Sequence, residues 1–421
     1  MKLAVKRAGL FVLSAVCIIQ AVPVYGRNGS EKKAVSQPEF EIHASDNGAV
    51  SPVSRESYYQ YQWALKNNGT LRRREALPRI PAGPGAYGPG INQKASSRGS
   101  GTQTTGNQVT ASVTGIDIGI ETAWDVYSQS AERRTVTVAL IDTGVDITHP
   151  DLQDSVWVNT DEIPGDGIDN DQNGYVDDVN GWNFYSGNNQ VFSGREDGHG
   201  THGAGTIAGA WDGQGITGIA DNKYVKIMVL KALGSEDGRG ISDNVKQAIR
   251  YAQENGADIC NLSMGAAVYD EELETIIRNS PMLFVVSAGN GDEWDRGVDI
   301  DVQPVYPASY TSDNIITVGN LMFDGSLAEN SNYGAASVDI AAPGTYILST
   351  VPGGGYGYMS GTSMAAPMVT GTAALIYSCR TDLSLLDVKR AILESARKLD
   401  GLSGKTVTGG ILDAYAALTF H

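Results

Sequence analysis

Four polar side chains of different chemistry, a carboxylate, an imidazole, a hydroxyl and a carboxamide, stand among small residues between positions 142 and 363 of this chain. Asp142 lies in Ala139-Leu-Ile-Asp-Thr-Gly-Val-Asp146. An Asp before a glycine is ordinary turn chemistry, but one that directly follows a buried strand also sits where open parallel sheets form their sites, outside the carboxyl ends of the strands. His199 lies in Asp197-Gly-His-Gly-Thr-His-Gly-Ala-Gly-Thr-Ile-Ala-Gly209. Each helical glycine costs roughly 1 kcal/mol relative to alanine, so something other than propensity favours them. Small residues let a helix pack closely on a sheet while its first turn presents the imidazole. His202 raises a zinc reading, yet zinc motifs of that type pair His at i and i+4 with a Glu between them. His199 therefore reads as a catalytic base and His202 as structural. Ser363, in Gly361-Thr-Ser-Met-Ala-Ala-Pro-Met-Val-Thr-Gly371, stands near a helix start, where a serine commonly only caps. There it also meets the positive end of the helix dipole, which favours negative charge developing nearby. Asn290, in Ser287-Ala-Gly-Asn-Gly291, is either a turn residue or, through its NH₂, a donor to an oxyanion.

The elements that must position these groups are legible from 111 onward. Thr135 to Ile141 is a β-branched, largely apolar run that predicts a buried strand, and Val225 to Leu230, Asp258 to Leu262, Leu283 to Ser287 and Ile315 to Val318 repeat the signal. Helices are expected between or after them: one capped by Ser242 with Val245, Ala248, Ile249 and Ala252 on one face, one over Thr362 to Tyr377, and one over Leu385 to Ala396. Strands alternating with helices imply a three-layer α/β fold, a mostly parallel central sheet with helices on both faces.

Taken together and in the order Asp, His, Ser, the segments around Asp142, His199 and Ser363 resemble the subtilisin family. The resemblance covers residues 111–421, with a fainter match at 58–69. It implies a serine endopeptidase: Ser363 attacks a peptide carbonyl, His199 moves the proton, Asp142 fixes the imidazole, and Asn290 with a backbone N–H at Ser363 holds the oxyanion. It also implies that substrate binds as an extended strand beside Gly238-Arg-Gly240-Ile241 and Ser263-Met264-Gly265. Val305, before Tyr306-Pro307, would then lie at the base of the main pocket. That makes the pocket shallow and apolar, while Asp292 and Glu293 nearby favour basic side chains instead; both readings stand.

Calcium is the expected ion, in a structural role. Asp169, Asp171 and Asn173 alternate in a loop with Gly174 at the sixth position and Asp177 and Asp178 following. Oxygen ligands so spaced suit calcium, although Asn180 replaces the Glu of an EF-hand loop and the alternative is a solvated acidic turn. By resemblance alone, a second site joins Asp151, Asp212 and the carbonyls of Ala210, Gln214 and Ile216, completed by Gln62.

The net charge is −17, with 31 Lys and Arg against 48 Asp and Glu. It is uneven. Residues 1–26 hold three basic residues and no acids, residues 27–110 hold 11 basic against 6 acidic, and residues 111–421 hold 17 against 42. A body this acidic argues against nucleic acid as a partner and is equally a matter of solubility or of metal binding. Residues 1–26 have the charged, apolar and small-residue order of a signal peptide, and their apolar run is too short for a membrane span. The chain is thus expected to be secreted, monomeric and without stable membrane insertion, acting on polypeptides. Cys17 invites a lipoprotein reading, but Val16 is not the small residue such sites need. Residues 27–57 read as a disordered N-terminus or short pro-segment, 58–69 as an aromatic docking segment, 70–110 as a Pro/Gly/Ser/Arg-rich linker, and 111–421 as the peptidase domain. The docking segment begins too early to leave room for the folded prodomain usual in the family, so cleavage near Arg72–Arg74 is the expected maturation step. Cys260 and Cys379, among apolar neighbours, are expected as buried thiols rather than a disulfide framework. Two rival functions remain: a processing peptidase with one peptide substrate, and a calcium-dependent binding module on an inactive scaffold.

Overall fold

The computed structural model describes residues 58–69, 71, 111–234 and 240–421, with short backbone pairings of Val12–Leu13 on Gly240–Ile241 and of Glu39–Glu41 on Arg72–Arg74. Most of residues 1–57 and of residues 70–110, and Gly238, lie outside the described residues.

Strands β1 (Val136–Asp142), β2 (Gly181–Asn183), β3 (Val225–Lys231), β5 (Ile259–Leu262), β6 (Leu283–Ser287), β7 (Ile315–Leu321), β8 (Ile340–Pro343), β11 (Arg397–Lys398) and β12 (Gly410–Ile411) form one nine-stranded sheet in the order β11-β12-β8-β7-β6-β5-β1-β3-β2. All pairs are parallel except β11 with β12 at the edge. Besides the two short pairings above, β4 (Gly240–Ile241) and the hairpin β9 (Ile347–Val351) with β10 (Gly355–Met359) lie outside this sheet.

Alternation along β1 shows why two layers of helix are needed. Val136, Val138 and Leu140 enter one core with α1 (Ile120–Gln129), α2 (Gly198–Ala208), α5 (Thr362–Cys379), α6 (Leu385–Glu394) and α7 (Ala414–Leu418). Ala139 and Ile141 enter the other with α3 (Ser242–Glu254) and α4 (Glu271–Asn279). A strand buried on both faces has no polar side, which is why the sequence shows continuous apolar runs. The three-layer expectation therefore holds.

One local expectation fails. Ser242 is the first residue of α3 rather than its cap; Ile241 stands at the cap position, and the Ser242 hydroxyl donates to Asp270 instead. The acceptor on the neighbouring helix wins over the local cap. Cys260 and Cys379 are both free and buried. Among the described residues no helix is long and apolar enough to cross a membrane.

The sheet order fixes where a site can form. From β1 the chain supplies β3 and β2 on one side, while β5 lies on the other, and a crevice opens where the order reverses. Asp142 ends β1 and Ser263 follows β5, with Ile141 paired to Leu262, so the two chain ends open side by side.

Candidate active site

His199 sits in the first turn of α2, its Nδ1 2.8 Å from Asp142 Oδ1 and 2.9 Å from Oδ2. Both side chains are buried. Two close approaches make this contact possible. A Cβ at Gly200 would lie 2.3 Å from the Gly144 carbonyl oxygen and 3.2 Å from Asp142 Cβ, so only glycine lets the helix start rest on the turn after Asp142. The Gly200 amide donates to Thr143 Oγ1 at 3.2 Å, closing the same joint. His202 is engaged elsewhere, its Nε2 donating to the Ile347 carbonyl of the hairpin at 2.9 Å, and burial lowers its pKa to about 4. It is neutral at ordinary pH.

Ser363 lies at the start of α5, tied to the chain after β5 by two reciprocal bonds. Its hydroxyl donates to the Ser263 carbonyl at 3.3 Å, and the Ser263 hydroxyl donates to the Ser363 carbonyl at 3.1 Å. Pro367 explains why that carbonyl is available: four residues on, it has no N–H to return. Ser263 is held in turn by Asn261 Nδ2 at 3.0 Å, and Asn261 Oδ1 accepts from Thr370 Oγ1 at 2.8 Å. Asn261 and Thr370, buried in strand and helix, were not foreseen; each looks like an ordinary interior polar residue in the sequence.

Asn290 follows β6 and faces the same helix start. Its Oδ1 accepts from the Thr362 amide at 2.8 Å and the Thr362 hydroxyl at 3.0 Å, which fixes the direction of its NH₂. A Cβ on Gly361, whose φ is +152°, would come within 3.1 Å of Asn290 Nδ2. Glycine therefore keeps the carboxamide clear of the chain leading into Ser363.

Around this centre, Ser263, Met264 and Gly265 leave β5, and Ala266 pairs with Tyr306 through bonds of 2.8 and 2.7 Å. That bridge carries Val305 against Gly265, where an added Cβ would meet Val305 Cγ1 at 2.8 Å; from Gly289 the same methyl would be 3.9 Å away. Gly240 opens β4 at the other side of the crevice. Asp292 pairs with exposed Arg296 at 3.3 Å, so its charge is already partly answered.

The acidic loop before β2 sorts its residues differently from their spacing. Glu162, Asp171 and Asp178 offer carboxylate oxygens within 4.8 Å of one another. Asn159 and Asn173 brace Asp171 and Asp178 at 2.9 to 3.0 Å. Asp169 instead accepts from the Asn173 and Gly174 amides, and Asp177 from those of Gly165 and Gly167. Glu162 had no sequence signal, being separated from the run by a turn. In the second loop, Asp151 Oδ2 accepts from the Ile216 amide at 2.9 Å and Asp212 Oδ1 from Gln214 at 2.8 Å. Burial raises the Asp151 pKa to about 6. Gln62 pairs with both backbone groups of Thr217, at 2.8 and 2.9 Å.

A parallel sheet sheathed by helices on both faces, with its polar centre at the switch point, defines a three-layer α/β enzyme. The chain belongs to the subtilase family, whose model matches residues 133–410. It is 36% identical over 303 residues to the thermophilic serine proteinase of Bacillus sp. (strain AK1), covering 71% of this chain and 64% of that one. It is 35% identical over 258 residues to the major intracellular serine protease of Bacillus subtilis (strain 168), covering 60% and 72%. With subtilisin-like protease 1 of Plasmodium vivax the identity is 34% over 307 residues, and the chain spans 48% of that relative. Among solved structures it is similar to a cold adapted subtilisin-like serine proteinase (TM-score 0.53, 26% identity, 68% of this chain and 91% of that one). It is also similar to fervidolysin from Fervidobacterium pennivorans, a keratinolytic enzyme related to subtilisin (TM-score 0.57, 27% identity, 72% and 45%).

Proposed function

We propose that this chain is an exported serine endopeptidase that hydrolyses peptide bonds through Asp142, His199 and Ser363. The observation that carries the reading is the two-oxygen contact of Asp142 with His199 Nδ1, at 2.8 and 2.9 Å, on a helix that packs against α5, whose first turn holds Ser363. Asp142 keeps the Nδ1 proton in place, so Nε2 is the basic nitrogen. Ser363 Oγ attacks the scissile carbonyl as Nε2 takes its proton; the tetrahedral intermediate then expels the amine, which receives that proton. Water repeats the sequence on the acyl-enzyme and releases the acid. Asn290 Nδ2, with the Ser363 amide, supports the oxyanion. Substrate lies extended between Gly240 and Ser263 to Gly265, its main side chain directed at Val305.

Calcium suits the donor chemistry of the first loop, where Glu162, Asp171 and Asp178 supply hard oxygens, and of the second, where Asp151 and Asp212 do. A bound ion would neutralise these carboxylates and stiffen the loops. Export rests on residues 1–26 alone, and maturation near Arg72–Arg74 on the linker composition.

The test is cleavage profiling of purified enzyme beside Ser363→Ala, with a serine-directed phosphonate as label. Many peptides cut, one labelled serine and an inert variant support the reading; no label at Ser363 in calcium-containing buffer sinks it. Chelation is expected to lower the Tm and calcium to restore it. Sequencing the N-terminus of culture-supernatant enzyme tests export and the linker cut, and an intact linker in fully active enzyme rules the cut out.

A further inference from the structure

Lys231 is the last residue of β3, after the apolar run Ile227–Leu230, and it is 1% exposed. In the sheet it is the direct partner of Asp142. Its ammonium reaches across the carboxyl end of the sheet to the carbonyl of Thr143, the residue after Asp142, and to Asp197 Oδ1 at 2.6 Å. Asp197 is fully buried and stands at the cap position of α2, two residues before His199. Its other oxygen accepts from the Ser193 amide, and its carbonyl accepts from Thr201 Oγ1 at 2.8 Å. Gly144 leaves room for this carboxylate and for the Val191 carbonyl: its φ is +115°, and a Cβ there would lie 2.6 Å from Val191 O and 2.9 Å from Asp197 Oδ2.

A buried ion pair is a weak device for stability, because desolvation offsets most of the attraction. What it supplies here is geometry. One ammonium holds the turn after Asp142 and the cap of the His199 helix at a common point, so the imidazole and its carboxylate are fixed relative to each other from outside their own contact.

We propose that Lys231 and Asp197 are positioning residues for the Asp142–His199 pair. The inference rests on the triad reading above. If the bridge goes, catalysis falls even where the fold is repaired, since small misplacements of a catalytic group cost up to about a hundredfold in rate.

The experiment compares Lys231→Met, Asp197→Asn and the double variant by Tm, kcat, KM and the downfield proton resonance of the His199 Nδ1–H. The resonance is recorded in a Ser363→Ala background, where autolysis cannot interfere and where failure of the serine reading would not affect it. Lys231→Met alone strands a buried carboxylate and is expected to be the least stable. The double variant removes both charges and is expected to regain most of the Tm. Its kcat stays down by about tenfold or more, with KM within about twofold, and the resonance is broadened or displaced. Asp197→Asn keeps an oxygen for Lys231 but sets donor against donor at Ser193, and carries the comparison if the methionine variants do not fold. Its kcat is expected to drop at unchanged KM with the resonance perturbed. Recovery of kcat in step with Tm, or an unaltered resonance in Asp197→Asn, overturns the proposal; persistent activity in Ser363→Ala overturns the triad reading instead.

Discussion

Asn290 and His202 are both buried polar residues near the same centre, yet their surroundings give them opposite tasks. The carboxamide of Asn290 is aimed by Thr362, which takes up its oxygen twice. Asn290→Ala is expected to lower kcat by about 10²–10³ with little change in KM, because an oxyanion donor acts mainly in the transition state; steady-state kinetics beside wild type measure it. His202 is fixed by the Ile347 carbonyl and held neutral by burial, its pKa lowered from 6.5 to about 4. In the unfolded chain it takes a proton near 6.5, so between about 6.5 and 4 the unfolded state binds more protons than the folded one. Stability therefore falls as pH drops through that window, by about 3 kcal/mol in total from this one group. Thermal melts from pH 7 to 4 should show a flatter dependence for His202→Gln than for wild type.

At the scale of the element, α2 shows that glycines in one helix are not equivalent. Gly200 and Gly205 are close approaches: a Cβ would lie 2.3 Å from the Gly144 carbonyl in one case and 2.3 Å from Thr350 Oγ1 in the other. At Gly203 the nearest atoms are Leu140 Cδ1 at 3.7 Å and Pro367 Cγ at 3.8 Å, which is ordinary contact. Gly203→Ala is expected to raise stability by about 1 kcal/mol through helix propensity, with activity kept. Gly200→Ala is expected to destabilise by about 1–3 kcal/mol and to lose activity, since the helix must lift from Asp142. Denaturant titrations and kcat for the two variants test the contrast. The glycine-dense run was readable in the sequence as a sign of close packing; which glycines bear it was not, because that depends on the hairpin and on the turn after β1. Likewise five strands of the sheet were legible as apolar runs, whereas β2, β8 and the hairpin were not, their runs being interrupted by glycine, alanine or polar residues.

For the molecule as a whole, residues 58–69 act as a brace laid across the body. Trp63 is buried, donates through Nε1 to the Thr345 and Tyr346 carbonyls at 3.0 and 3.1 Å, and meets Phe323 edge-on. Gln62 holds Thr217 at the end of the second acidic loop. Trp63→Ala is expected to cost about 3–5 kcal/mol, seen as a lower denaturation midpoint, and to make the enzyme more sensitive to chelation because the loop loses its support.

The sequence by itself determined the residues of the proposed reaction centre and the five apolar strands that carry or flank them. Asp142, His199, Ser363 and Asn290 each carry their chemistry in residue type, and each lies at a strand end or helix start that local pattern reveals. The tertiary structure alone decided the partners that come from elsewhere in the chain: Glu162 with Asp171 and Asp178, Asn261 and Thr370 behind Ser263, Lys231 with Asp197. Sheet order and register bring these groups together, and neither is encoded in the spacing of any one segment. A buried polar side chain shows what it is for only when its partner across the fold is known.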